Sequence, residues 1–371
     1  MKKVLFLFGT RPEAIKMAPL IECFSQSNSF DVKVGVTAQH REMLDQVLDF
    51  FDVKVDFDLD IMKPNQTLHQ LTADLITRIT NEILLKESFD YVFVQGDTTT
   101  VLAASMAAFY QKIKIVHIEA GLRSGDMLSP FPEEMNRALT SKLASFHFCP
   151  TVNSQENLKK ENITENVFVV GNTVIDALLS GLKKVSTTEE SSLFKKYDFI
   201  DFSKNIILVT CHRRENFGKP FEEICEALIE ISTVFKDVQI VYPVHLNPNV
   251  KDIAYKKLIA ENIKLIAPLD YPELIWMMSK SKIILTDSGG IQEEAPSLAK
   301  PVLVLREVTE RMEGVVAGTA VLVGSDKQMI VSQTSRLLTD TSYYDLISKA
   351  SNPYGDGTTS EKIFNVLNLI E

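Results

Sequence analysis

Cysteine is scarce in this 371-residue chain: Cys23, Cys149, Cys211 and Cys225 lie far apart, with no CxxC pair and no metal-ligand spacing. That pattern supplies neither a disulfide framework nor a zinc site. It reads as reduced core or site-lining thiols in a cytoplasmic protein, and no metal is expected. Positive charge is also short. Against 49 Asp and Glu stand 39 Lys and Arg, a net charge of −10, so an overall basic footprint for nucleic acid is missing and an anion would need a local cluster of Arg and Lys. Long apolar runs are absent too, since none approaches the roughly 20 residues that span a membrane. The start, Met1-Lys2-Lys3 followed by residues 4–8, imitates a signal peptide, but Arg11-Pro12-Glu13 cuts the run short and we read a first strand. Neither GxGxxG nor a P-loop GxxxxGKS/T occurs, which argues against a dinucleotide redox cofactor and a Walker-type site; no cofactor is expected.

What is present is alternation. With 45% hydrophobic and 24% charged residues the chain can bury two cores of ordinary size. Strand-like runs at 3–8, 32–36, 91–94, 115–118, 146–149 and 167–170 are separated by helical patterns at 12–27, 40–51, 67–87, 98–111, 133–144 and 153–161. A second series has strands at 206–210, 238–242, 263–265, 283–286, 302–305 and 319–323. Its helices fall near 219–235, 249–260, 271–280, 290–298, 326–338 and 341–350. Such alternation predicts α/β architecture with parallel, doubly wound sheets. The expected domains are 1–170 and 171–358, with a last helix at 359–371 packing back onto the first. The polar stretch 186–192 in the junction reads as a solvated loop or a helix start. Two facing open sheets make a cleft in which a ligand is expected.

Acidic residues gather at predicted strand ends, where α/β sheets place ligands. The run Ile115–Arg123 passes from an apolar strand through Glu119 into Gly121; Gln95-Gly96-Asp97 ends the preceding strand; Glu133-Glu134 follows. Converging carboxylates raise one another's pKa, which suits proton transfer. Gly9-Thr10-Arg11-Pro12-Glu13 gives a tight turn and a helix start at which Arg11 and Lys16 meet an anion, or else a plain charged loop. Asp287-Ser288-Gly289-Gly290 followed by Glu294 reads as a phosphate cradle with a ribose acceptor; its bland alternative is a capped helix start. His212-Arg213-Arg214 after a strand offers a proton shuttle and diphosphate ligands, or a satisfied histidine and two solvated arginines. Arg311 adds a cation after another strand. His69, Tyr271, Trp276 and Met277-Met278 read as packing or surface residues.

Together these segments, with Thr37-Ala38-Gln39-His40-Arg41, resemble the non-hydrolysing UDP-N-acetylglucosamine 2-epimerases over essentially the whole chain. The resemblance implies a GT-B-type fold, two Rossmann-like domains with the active site in the cleft between them, a homodimer, and interconversion of UDP-GlcNAc and UDP-ManNAc for cell-surface polysaccharide. Inverting C2 beside an amide nitrogen by direct proton abstraction is very slow, and a hydride route lacks its cofactor motif. Anti elimination of UDP to 2-acetamidoglucal, then re-addition with the proton returned to the opposite face, meets the need. It demands two proton-transfer groups and cations for the leaving diphosphate.

By similarity, Asp97, Glu119 and Glu133 are the acid/base candidates and His212 assists departure of UDP. Arg11, Lys16, Arg137, Arg213, Ser288, Gly289, Gly290, Glu294 and Arg311 bind UDP or sugar. An activating second substrate site would use Gln39, His40, Arg213 and His245, although Glu42 and Asn65 depart from that pattern. Three alternatives stay open on residues alone: a hydrolysing epimerase that releases ManNAc and UDP, a UDP-sugar glycosyltransferase, and a non-catalytic sugar-nucleotide sensor.

Overall fold

Residues Val4 to Phe8 are five consecutive apolar side chains with no exposed surface. A strand with both faces covered is the parallel-sheet signature, and β1 (Lys2–Phe8) sits inside a seven-stranded sheet. The computed structural model describes residues 1–38, 41–63 and 66–370. The chain divides into two units, Met1–Ala177 with Tyr354–Glu371, and Leu178–Pro353.

In the first unit the strands are β1, β2 (Phe30–Val36), β3 (Phe57–Asp58), β4 (Tyr91–Gln95), β5 (Lys114–Ile118), β6 (Phe146–Cys149) and β7 (Val167–Val169). Their order is β3-β2-β1-β4-β5-β6-β7 and all neighbours run parallel. The chain reverses direction of growth between β1 and β4, the switch point at which such sheets leave a crevice. Phe6 and Phe93, paired in register across that point, stack at 4.4 Å. The C-terminal helix Thr359–Leu369 sets Phe364 edge-on against Phe24 (5.3 Å) and Phe30 (5.7 Å). Its start is held by Asp176, whose carboxylate accepts from Ser360 N (2.7 Å) and Thr359 N (3.3 Å).

The second unit has β8 (Asn205–Thr210), β9 (Val238–Pro243), β10 (Ile263–Ile266), β11 (Ile283–Thr286), β12 (Val302–Val304) and β13 (Ala320–Leu322), ordered β10-β9-β8-β11-β12-β13 and parallel throughout. Its switch point lies between β8 and β11. The expected doubly wound α/β class is what the structure has.

Two local readings change, and a third, left open between loop and helix start, is decided as helix. The two-residue β3 has no sequence pattern long enough to announce it. The helix expected over 67–87 is an α-helix at Leu68–Ile79 continued by a π-turn at Thr80–Leu84. The junction is helical, Thr173–Thr188 then Glu190–Lys196. Its polar residues stay in helix because Thr187 and Thr188 return their hydroxyls to the Lys184 carbonyl (2.9 and 2.8 Å) while Val174, Leu178 and Val185 are buried. Among the described residues no helix is long and apolar enough to cross a membrane.

Candidate active site

Glu119 is the first residue past β5, and it takes a left-handed backbone, φ +63°. Such a conformation is uncommon for a residue with a side chain and points to a constraint beyond folding. The carboxylate is buried and receives donors from three elements. Lys16, on the helix Arg11–Ser25, places Nζ 2.7 and 2.6 Å from the two oxygens. Gln95, the last residue of β4, donates its amide, and Asn172 donates Nδ2 at 3.0 Å. A buried ammonium and two amides compensate a desolvated carboxylate that would otherwise be costly.

Asp97 follows the β4 turn, opened by Gly96 at φ +78°. Its Oδ2 lies 3.0 Å from Arg137 Nη2, and Asn136 Nδ2 donates to its backbone carbonyl at 2.8 Å. Desolvation pushes the Asp97 carboxyl above its ordinary pKa; Arg137 and Lys16 oppose this, and the charges of Glu119 and Glu133 add to it. A carboxyl poised upward beside two other carboxylates is suited to hold and release a proton. Glu133 opens the helix Glu133–Leu143 and is half-buried, and its side chain makes no hydrogen bond or ion pair among the described residues. Arg137 on the same helix also faces Glu134 at 3.4 Å. Glu134 in turn accepts from Ser124 N (3.0 Å) and Gly125 N (3.1 Å), so it fixes a loop. Arg11 is half-buried and has no such partner among the described residues. Glu13, which the sequence presented as a helix-start residue, proves to be a buried clasp. It accepts from Gly9 N (3.0 Å), Thr10 N (2.7 Å) and Thr98 Oγ1 (2.7 Å), joining the loops after β1 and β4.

Beneath these groups lie two buried histidines, paired in register between β5 and β6. His117 Nε2 is 2.8 Å from the Gly96 carbonyl oxygen, and Nδ1 of both rings is buried without a hydrogen bond among the described residues. Burial pushes His117 down to about 3 and His147 to about 4. The folded rings thus stay neutral while the unfolded chain protonates near pH 6.5. The stability they carry is full above that pH and is lost as pH falls toward their folded values. Between pH 6.5 and 5 each site should cost about 2 kcal/mol. Urea unfolding at pH 7 and 5 should therefore show a steeper loss for the native chain than for His147→Gln; equal slopes would contradict the assignment.

In the second unit the counterpart cluster sits at the ends of β8, β11 and β12. The double glycine opens a short helix, Gly289–Glu294, with Ser288 before it. A methyl group on Gly289 would lie 3.8 Å from both Arg213 Nη2 and Arg311 Cζ, so two guanidinium groups flank this turn. Arg311 is ion-paired to buried Glu293. Glu294 is buried and accepts from the Tyr271 hydroxyl at 3.2 Å. Tyr271 is thus more than packing: Asp270 caps its helix through Glu273 N (2.9 Å) and puts the tyrosine in the first turn. Trp276, Met277 and Met278 are core, as read, and His69 is a surface residue beside Thr67. His212 and His245 stack at 5.5 Å with 16° between their rings. Gln39 and His40, two of the activator-site candidates, lie outside the described residues, as does Asn65.

The structure therefore gathers Lys16, Asp97, Glu119, Glu133 and Arg137 in one unit. In the other it gathers His212, Arg213, His245, Ser288, Gly289, Gly290, Glu294 and Arg311. Sequence reading passed over Gln95, Asn172, Tyr271 and the central part of Asp287. Gln95 and Asn172 each stand beside a strand-end glycine, the one signal that marks them. No group of His, Cys, Asp and Glu among the described residues is arranged to hold a metal ion.

A family model described as UDP-N-acetylglucosamine 2-epimerase matches residues 22–368. The chain belongs to the UDP-N-acetylglucosamine 2-epimerase family. It is 54% identical to the UDP-N-acetylglucosamine 2-epimerase of Escherichia coli strain K12, over 98% of each chain. Among solved structures it is similar to the UDP-GlcNAc 2-epimerase of Neisseria meningitidis bound to UDP-GlcNAc, with a TM-score of 0.89 at 50% identity, covering 98% of this chain and 99% of that one. The Methanocaldococcus jannaschii UDP-GlcNAc 2-epimerase aligns with a TM-score of 0.86 at 35% identity, covering 98% and 99%. The resemblance to UDP-N-acetylglucosamine 2-epimerases and the GT-B-type α/β fold are both borne out.

Proposed function

We propose that this family member interconverts UDP-GlcNAc and UDP-ManNAc by anti elimination and re-addition of UDP, without net hydrolysis. The observation that carries this reading is the first unit's cluster, in which Asp97 is pushed toward the protonated form while Glu119 is held by Lys16, Gln95 and Asn172. Two carboxyl groups in such different settings suit opposite roles, one giving and one taking a proton. Asp97, Glu119 and Glu133 then manage the C2 hydrogen. Arg11, Lys16 and Arg137 place the sugar and these carboxylates. In the second unit Arg213, Arg311 and the turn Ser288-Gly289-Gly290 hold the diphosphate, where charge grows as the anomeric C–O bond breaks. His212 exchanges a proton with that leaving group, and Glu294 accepts from the ribose diol. We place the enzyme in the cytoplasm as a homodimer supplying ManNAc units for cell-surface polysaccharide. Exposed Phe109 and Tyr110 are candidates for contact with a second copy, and light scattering reads that state directly.

The test is turnover of UDP-GlcNAc in deuterated water, followed by NMR. Deuterium at C2 of both nucleotide sugars supports the reading, and free ManNAc as main product replaces it with a hydrolysing enzyme. UDP-GlcNAc binding without exchange would make the chain a sensor. Glu294→Ala should raise KM about tenfold or more and change kcat little, because a ribose contact is made equally in ground and transition states. An unchanged KM removes Glu294 from the nucleotide site.

A further inference from the structure

One side chain ties together the strand ends of the second unit. Asp287, directly after β11, has no exposed surface. Its Oδ2 accepts three N–H donors: His212 N at 2.8 Å, Arg213 N at 2.8 Å and Asn216 Nδ2 at 3.0 Å. Asn216 Nδ2 reaches on to the Leu305 carbonyl at 3.1 Å, so the loop after β8 is pinned to the ends of both β11 and β12.

The other oxygen is the informative one. Asp287 Oδ1 is buried and has no hydrogen bond among the described residues, yet it lies 3.5 Å from Nδ1 of the His212 ring. That distance is just beyond a good hydrogen bond, and catalytic contacts of this kind shorten in the working complex. The buried Cys211 thiol is the other titratable group against this carboxylate, and it is a weak donor; a proton on His212 Nδ1 answers the buried oxygen far better. Three other influences act on the ring. Desolvation first, then the stacked His245 and the neighbouring Arg213, hold His212 below its ordinary pKa, and Asp287 is the charge that opposes them.

We propose that Asp287 is a positioning residue that holds His212 in the Nδ1–H tautomer and sustains its protonated form, leaving Nε2 to give a proton to the departing diphosphate and recover it on re-addition. This rests on the role given to His212 above. In the elimination a carboxylate of the first unit takes the C2 proton, the C2–H pair becomes the C1–C2 double bond and the anomeric C–O pair leaves on the diphosphate oxygen; protonated His212 passes its Nε2 proton to that oxygen and, now neutral, retains its Nδ1 proton in the hydrogen bond to Asp287.

Nitrogen-15 NMR of histidine-labelled native protein, assigned with His212→Gln, provides the test. In its neutral form His212 should show a protonated Nδ1 and a bare Nε2; the opposite tautomer overturns the proposal, and this needs no variant at position 287. In Asp287→Asn the His212 titration midpoint should fall by about one pH unit, the size expected on losing an opposite charge at this range. The alkaline side of the kcat profile, where His212 loses the proton it must give, should move to lower pH with it. The same substitution should lower kcat about tenfold in the native background and less than twofold in His212→Gln. A loss of turnover with an unmoved His212 titration would assign Asp287 a purely structural part and refute the proposal. Because the tautomer and titration are read without turnover, failure of the epimerase reading is seen separately, in the product analysis.

Discussion

Asp97→Asn and Glu119→Gln should each lower kcat by two or more orders of magnitude while the protein stays folded and still binds UDP. The amides are isosteric with the acids, so packing is kept; what is lost is the ability to carry a proton, worth about 10²–10⁴-fold for a positioned group. The two variants are expected to fail for partly different reasons. At Asp97 the amide oxygen can still accept from Arg137, 3.0 Å away, so the local geometry survives and the kinetic loss isolates proton transfer. At Glu119 the change also strips that anion from Lys16, whose side chain is only 15% exposed. Removing one partner of a buried ion pair is strongly destabilising. Adding Lys16→Met to Glu119→Gln should therefore recover thermal stability and leave turnover depressed. Circular dichroism, UDP titration and single-turnover exchange of the C2 proton separate these outcomes. Near-native rates in both single variants would remove the carboxylates from the chemistry.

The sheets were legible because burial on both faces leaves unbroken apolar strands such as Val4–Phe8 and Ile206–Val209, and because helices of ordinary length separate them. Strand ends then located the chemistry: every acid/base candidate lies just beyond a strand or at a helix start, where topology rather than local sequence concentrates function. Partnership was far less legible. Nothing in the local pattern around Lys16 says that its charge meets Glu119, 103 positions away, rather than an anion from solution. Nor does the segment around Asp287 announce that its carboxylate organises the loop carrying His212 and Arg213, some 75 positions earlier. Such pairs depend on how crossovers bring strand ends side by side, which is a property of sheet order. In the polar junction the pattern could not separate its two readings, loop or helix start: Thr187 and Thr188 favour turns by propensity, but tertiary burial of Val174, Leu178 and Val185 keeps the segment helical, and a new helix starts at Glu190.

Gly121→Ala should be the most damaging single substitution near the site that alters no functional group. The residue has φ +90°, which glycine adopts freely and alanine does not. Space is lacking as well. A methyl group there would drive into the Ser154 carbonyl oxygen, approach its carbonyl carbon at 2.8 Å and Leu158 Cγ at 3.2 Å. Ser154 is buried in the first turn of the helix Val152–Lys160, and its hydroxyl and amide are already committed to Thr151. That backbone cannot yield without loosening the helix cap, and Leu158 belongs to the small core with Ala120 and Cys149. Left-handed strain contributes about 1–3 kcal/mol and overpacking a similar amount, so a loss of roughly 3 kcal/mol or more is expected. The consequence reaches function because Gly121 is two residues from Glu119, itself held at positive φ. If Gly121 moves, the Glu119 carboxylate leaves the donors Lys16, Gln95 and Asn172. Urea unfolding should report the lost stability, and kcat measured well below the unfolding midpoint should fall at least tenfold in the folded fraction. A variant with native stability would show that the Ser154 carbonyl can retreat. A destabilised variant with native kcat would show that Glu119 keeps its place independently of the turn.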